Sequence, residues 1–163
     1  MIIVRKNTLS FNNTSYKCSV GKNGISNKKN EGDGCTPFGQ YSLGNVYYRD
    51  DKVTLPKIDL HKIVIKKKFG WCDDLNSDDY NKCISFPFNY SAENLYRTDN
   101  IYDIICLINY NTNPIIKGKG SAIFLHVAHD DYSATEGCIA LKKDDLIKLL
   151  SQINITTKIN IIS

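Results

Sequence analysis

Short apolar segments rich in β-branched and aromatic residues alternate with polar turns along most of the chain. MIIVRK, TLSFN and SYKCSVG, at the start, are typical of strands joined by Asn-rich turns. The runs at 101–110 and 121–127 are continuously apolar, which predicts two buried strands. Further strands are predicted at 40–48, 57–65 and 157–163.

One segment has the periodicity of a helix. The apolar residues of KDDLIKLLSQI (143–153) follow the i, i+3, i+4, i+7 spacing, and two aspartates stand where a helix N-terminus favours negative charge. Residues 69–100 are polar and aromatic without a regular period, and we expect them to be mostly irregular. The sequence therefore predicts a mainly β fold with one well-defined helix near the C-terminus.

Composition changes this picture little. With 163 residues, 42% of them hydrophobic and 23% charged, the chain fits one globular domain over 1–163 with a core of its own. The net charge is +4, and the basic residues are scattered apart from Lys66–Lys68, so no nucleic-acid-binding stripe is predicted. No apolar run reaches the roughly 18 residues of a membrane span, and MIIVRKNTLSF lacks the features of a signal peptide.

The cysteines and histidines do not form a metal-binding pattern. There are six cysteines and three histidines, and no two cysteines are spaced as C-x-x-C. A zinc site is therefore not predicted. A chain of this length does not need disulfides to fold, so we expect mostly free thiols and no cofactor.

The segment DDLNSDDYN (73–81) has part of the pattern of a calcium loop. Asp74, Asn76 and Asp78 have the D-x-N-x-D spacing of its first ligands. However, Asp79 stands at the glycine position and Ser85 at the position of the bidentate glutamate. An Asx-rich turn is the favoured interpretation.

The segment HVAHDDYSATEGCIAL (126–141) contains a histidine and a cysteine twelve residues apart. A thiol is a nucleophile only as thiolate, so Cys138 would need a base, and His126 at the end of a buried strand could supply one. Gly137 permits an unusual backbone angle, and the N–H groups of Gly137 and Cys138 could face an oxyanion. Spacing alone leaves open a buried structural cysteine and a structural histidine.

Two other histidines compete for the role of base. His129 is followed by Asp130 and Asp131 in a polar loop, and we expect it to be solvated. His61 lies far upstream without a motif. His126 is therefore the preferred base.

The whole set of segments resembles the L,D-transpeptidase catalytic domain, the YkuD-like family. HVAHDDYSATEGCIAL is similar to the family's histidine, loop and Ser/Thr-His-Gly-Cys motif, and GDGCTPFGQYSL is similar to its Thr-Pro-x-Gly-x-Phe/Tyr segment. GWCDD, YNKCISFPF and GKGSAIFLHV resemble a bacterial branch with a short single domain. The resemblance implies a β-rich, sandwich-like fold whose cysteine attacks the stem peptides of peptidoglycan.

The resemblance assigns roles to individual residues. Cys138 corresponds to the nucleophile and His126 to the general base, and Thr135 fills the Ser/Thr position that supports the loop. Glu136 replaces the family's histidine, and Ala140 replaces an Asn or Arg, so we expect altered substrate specificity. Within the resemblance, the residues expected to line the substrate groove are Trp71, Asp73 and Tyr80, together with Thr135 and Glu136.

The predicted function is therefore a cysteine acyltransferase that crosslinks peptidoglycan stem peptides as a monomer. An L,D-carboxypeptidase would use the same site with water as the acceptor. A peptidoglycan-binding module without activity, and a cytosolic β-protein with a structural cysteine, also remain open. The resemblance implies the bacterial cell envelope, the periplasm. Because no signal peptide is visible, this would require a trimmed chain or an unusual export route.

Overall fold

The computed structural model describes residues 1–27 and 30–163, and a mainly β fold with one helix is confirmed. The strands of the described residues are β1 (Ile2–Arg5), β2 (Thr8–Phe11), β3 (Thr14–Ser19), β4 (Ile25–Ser26), β5 (Thr36–Pro37), β6 (Gly39–Tyr48), β7 (Lys62–Val64), β8 (Phe69–Cys72), β9 (Cys83–Ser85), β10 (Ala92–Asn94), β11 (Ile104–Ile108), β12 (Phe124–Val127), β13 (Ile139–Leu141) and β14 (Lys158–Ile162). The helix, α1, is Lys143–Gln152.

The main sheet closes on itself. Its strands pair in the order β11-β12-β13-β3-β2-β1-β14-β6, β6 pairs back onto β11, and β7 adds beside β6. The ten residues of β6 make this possible, because its first half pairs with β14 and its second half with β11 and β7. Alternate side chains point inward and form a continuous apolar core that includes Ile2, Leu9, Val46, Leu125 and Ile161, all fully buried.

Helix α1 packs on this core through Leu146, Leu149 and Leu150, which are fully buried. Its first residue, Lys143, donates to the buried carboxylate of Asp103 just before β11, with an Nζ–Oδ2 distance of 2.6 Å. The apolar spacing and the ion pair together hold the helix against β12 and near the start of β11. None of the described helical residues forms a helix long and apolar enough to cross a membrane.

Most of residues 69–100 are irregular, as predicted, but three short strands were not predicted there. They form a separate three-stranded antiparallel sheet in the order β10-β8-β9. Trp71 of β8 attaches this small sheet to the main one, because its ring packs edge-on against Phe124 and Tyr47 with centroid separations of 5.1 and 6.0 Å. The small sheet therefore covers one face of β12, where the candidate site lies.

Candidate active site

The candidate site is built on two neighbouring parallel strands, β12 and β13, joined by the loop 128–138. In their register His126 lies opposite Ala140. Cys138 is two residues before Ala140, so the strand period of two puts Cys138 and His126 on the same face of the sheet. His126 and Cys138, twelve residues apart in the sequence, are therefore diagonal neighbours across this pair of strands.

A cleft of about 530 Å³ opens above this face, and both His126 and Cys138 border it. In the described part of its wall, every side chain with a fixed charge is a carboxylate. These residues are Glu31, Asp73, Glu93 and Glu136. The cleft therefore combines a thiol, an imidazole and a negatively charged wall.

His126 is buried, with 6% of its surface exposed. Its Nδ1 lies 2.9 Å from the carbonyl oxygen of Val127. Because a carbonyl can only accept, Nδ1 carries the proton and Nε2 keeps its lone pair. Burial lowers the pKa of His126 to about 4, although the Val127 carbonyl opposes this shift. The imidazole is therefore neutral at pH 7 and can accept a proton.

Tyr102 stands between His126 and the acidic wall. Its ring meets the His126 ring edge-on, with centroids 5.4 Å apart, and its hydroxyl donates to Glu93 Oε1 at 2.6 Å. Burial and the nearby Cys138 raise the pKa of Tyr102 well above its usual value. Burial also raises the pKa of Glu93, and its Tyr102 hydrogen bond only partly offsets this. Tyr102 thus packs the base in place and fixes one wall carboxylate.

The Cys138 thiol donates to the carbonyl oxygen of Ala122 at 3.1 Å, and the residue is 8% exposed. The carbonyl of Cys138 itself accepts from Thr135 Oγ1 at 2.6 Å and from Thr36 Oγ1 at 3.5 Å. Thr36 belongs to the Thr-Pro-x-Gly segment, and its hydroxyl also accepts the Gly21 N–H at 2.8 Å. The Thr-Pro-x-Gly segment and the segment that ends in Gly137-Cys138 therefore meet at the backbone of Cys138.

The loop before the cysteine is held by its own hydrogen bonds. Thr135 ties it to another part of the chain, since its backbone accepts from the Lys22 N–H and donates to the Val20 carbonyl. Gly137 has a φ of +137°, which L side chains rarely adopt. Its N–H donates to Thr135 Oγ1 at 3.1 Å. The predicted oxyanion role of the Gly137 N–H is therefore without support in this arrangement.

Glu136, which stands where the family has histidine, turns outward. Its side chain is 75% exposed and pairs with Lys22 at an Nζ–Oε2 distance of 2.8 Å. Its carboxylate is thus engaged at the rim rather than buried beside the thiol. Ala140, the second departure, is buried opposite His126 and leaves that part of the cleft wall without a polar group.

A model of the L,D-transpeptidase catalytic domain, YkuD, matches residues 1–161. The chain belongs to this family. The solved structure of Bd1075 from Bdellovibrio bacteriovorus is similar with a TM-score of 0.50 and 18% identity, over 99% of this chain and 47% of that one. The chain thus spans about half the length of that protein, and the likeness concerns the fold alone. No curated protein matches the chain.

Two residues expected to line the groove of this YkuD domain do not line its cleft. Trp71 is 3% exposed and belongs to the apolar cluster that contains Tyr47 and Phe124, and Tyr80 is 1% exposed. The Tyr80 hydroxyl donates to the Glu31 carboxylate and accepts the Gly120 N–H at 3.0 Å. Asp73 does border the cleft, and its Oδ1 is buried without a hydrogen-bond partner among the residues that the structure describes.

The remaining sequence candidates have surface or structural positions. His129 is exposed at the rim of the cleft, and His61 is exposed away from it. Asp74 forms the expected Asx turn, because its Oδ1 accepts the Asn76 N–H at 2.9 Å. None of the six cysteines, all of which lie in the described ranges, forms a disulfide, and no three His, Cys, Asp or Glu side chains there cluster as metal ligands.

Several residues at the site of this YkuD domain were not found from the sequence. Tyr102 begins a recognised apolar run, but nothing in that run marks it as a neighbour of the histidine. Glu31 and Glu93 are isolated acids in segments without a period. Ala122 has a φ of +54°, which no sequence signal for alanine predicts. Asn81 at φ +58° is the exception, since asparagine tolerates this conformation.

Proposed function

We propose that this YkuD domain is a cysteine acyltransferase acting on peptidoglycan stem peptides. The observation that carries the proposal is the placement of His126 and Cys138 on one face of β12 and β13, at one cleft, with Nδ1 of the imidazole held by Val127. Nucleophile, base and a group that orients the base are the parts that thiol-based acyl transfer requires.

The proposed reaction has two halves. Cys138 Sγ attacks the carbonyl on the L side of an L,D peptide bond, while His126 Nε2 accepts the thiol proton and passes it to the leaving nitrogen. A D-amino acid departs and a thioester remains. An uncharged amine of a second stem then attacks the thioester, and its proton returns through His126 to the sulfur. The product is a crosslink, and the free thiol is regenerated.

The charge of the cleft favours an amine as the acceptor over water. Glu31, Asp73 and Glu93 border the same cleft as the nucleophile, and carboxylates attract a substrate side chain that carries an ammonium group. Binding such a side chain near the thioester raises its local concentration relative to other acceptors, and the ammonium group releases one proton to solvent to become the uncharged amine that attacks. Transfer is therefore the proposed outcome, and hydrolysis by an L,D-carboxypeptidase is its rival. The substrate places this activity in the bacterial cell envelope.

The test uses defined tetrapeptide and pentapeptide muropeptides, with products identified by mass spectrometry. We expect crosslinked dimers from the native chain, none from Cys138→Ala, and covalent labelling of the native thiol by a carbapenem. Cys35→Ala is the matched control, because Cys35 is a partly buried free thiol outside the cleft and its removal should leave both results unchanged. Trimmed monomers without dimers would assign hydrolysis, and full activity in Cys138→Ala would overturn the proposal.

A further inference from the structure

The carbonyl that accepts the Cys138 thiol belongs to a residue in a strained conformation. Ala122 has a φ of +54°, a left-handed value that costs a residue with a Cβ about 1–2 kcal/mol. This conformation points the Ala122 carbonyl oxygen to within 3.1 Å of Cys138 Sγ. Strain of this kind persists only where surrounding contacts hold it.

One side chain, that of Asn81, hydrogen-bonds the backbone of Ala122 and so helps to hold its conformation. The Ala122 N–H donates to Asn81 Oδ1 at 3.0 Å, and the same oxygen accepts Trp71 Nε1–H at 2.9 Å. Asn81 Nδ2 donates to the carbonyl of Asn111 at 2.8 Å. The amide of Asn81 therefore has hydrogen bonds at both ends, and the residue is only 4% exposed.

We infer that Asn81 is a positioning residue for the nucleophile, acting through Ala122. Asn81 follows β8 of the small sheet, so it joins that sheet to the connection before β12. By fixing the Ala122 peptide it keeps a carbonyl against the thiol, which holds the sulfur in one place. Rotation about Cβ–Sγ can then redirect the proton without moving the sulfur. The inference rests on Cys138 being the nucleophile of the proposed function.

Loss of the Asn81 amide should shift the ionisation of the Cys138 thiol in one direction. A hydrogen bond donated by the neutral thiol stabilises the protonated form, so losing the Ala122 carbonyl should favour the thiolate. Removing the Asn81 amide should therefore move the pH midpoint of Cys138 alkylation downward while turnover falls. A residue that only stabilised the fold would not shift that midpoint.

Asn81→Gly is the variant of choice, because it removes the side chain that carries the amide and glycine accepts the φ of +58° at this position. We expect its alkylation midpoint to fall by half a pH unit or more, and kcat to fall about tenfold with KM nearly unchanged. Leu9→Ala, a fully buried change in β2, is a destabilised control that should keep the native midpoint. A native midpoint in folded Asn81→Gly would overturn the inference.

Asn81→Asp keeps the test decisive if Asn81→Gly does not fold. It retains an acceptor oxygen for the Ala122 N–H, so its midpoint should not fall below that of the native chain, and a fall would overturn the inference. The alkylation measurements need no peptidoglycan. They therefore test the positioning role even if the muropeptide experiment rules out acyl transfer.

Discussion

Two regions build the candidate site, and they differ in how visible they are in the sequence. The segment 126–141 supplies the thiol and the imidazole from two adjacent parallel strands. The segment 69–100 supplies Asp73, Asn81 and Glu93 from a small sheet whose strands are three or four residues long. The first region has a recognisable motif, whereas the second has no period at all.

This difference follows from what each region does. The reacting groups must keep a fixed mutual geometry, and a short loop between neighbouring strands provides it within one stretch of chain. The second region provides charge and support across long sequence distances, where many local sequences would serve. We therefore expect changes in the reacting groups of the motif to remove the chemistry, and changes in the small sheet to alter the substrate specificity and the pKa of the thiol.

The largest expected effect concerns the reacting groups of the segment 126–141. His126→Gln removes the proton acceptor and should lower kcat by roughly 10²–10⁴-fold, measured as dimer formation from muropeptides. His129→Gln is the matched control, since His129 is exposed at the rim and should change kcat by less than about twofold. If His129→Gln had the larger effect, the base would have to be reassigned to His129.

His126 should also make stability depend on pH. Its pKa falls from 6.5 to about 4 on folding, so between these values the unfolded chain binds more protons than the folded one. Stability is then complete above pH 6.5 and decreases by roughly 3 kcal/mol as the pH falls to 4. Urea unfolding at several pH values should show this slope, and His126→Gln should lack it. Equal slopes in both chains would contradict the neutral, buried imidazole.

The sequence predicted the elements whose signal is local. The apolar spacing placed the helix at 143–153, within one residue of α1, and the motif brought His126 and Cys138 together. It could not predict β8–β10, because strands this short with Gly, Cys, Glu and Asn lack an alternating pattern.

The directions of side chains and of backbone N–H groups could not be predicted from the sequence either. Trp71 and Tyr80 were expected in the groove and lie in the packing instead, because an aromatic residue suits either place. Gly137 was expected to donate to an oxyanion, but the orientation of its N–H depends on the Thr135 hydroxyl nearby. Such details depend on three-dimensional neighbours and leave no mark on composition or spacing.

A change in the small sheet should affect the acceptor more than the chemistry. Glu93→Gln removes one wall charge but keeps an oxygen for Tyr102, so we expect KM for an amine acceptor to rise roughly tenfold, about 1.4 kcal/mol. Hydroxylamine, a neutral acceptor, should be used as well as before. Because burial raises the Glu93 pKa, its ionised form destabilises the fold at neutral pH, and Glu93→Gln should unfold at higher urea. If KM for the amine acceptor were unchanged in Glu93→Gln, the Glu93 carboxylate would have only a structural role.

The smallest expected effect is at the motif position that departs most from the family. Glu136→His restores the usual histidine, yet Glu136 is 75% exposed and pairs with a half-exposed Lys22. Exposed pairs contribute about 0.2–1 kcal/mol, less at high salt, so the free energy of unfolding should change by under about 1 kcal/mol.

Turnover of Glu136→His should stay within about threefold of the native value, because the native carboxylate is engaged by Lys22 rather than the thiol. Lys22→Met separates the contribution of the ion pair from that of Glu136 alone. In a double-mutant cycle of Lys22→Met and Glu136→His, the coupling energy between the two positions should vanish at high salt. A change in kcat above tenfold would mean that Glu136 acts on the reacting groups. The comparison of the two regions would then reverse, because a substitution at the rim of the motif would affect turnover more than one at the half-buried carboxylate of Glu93 in the small sheet.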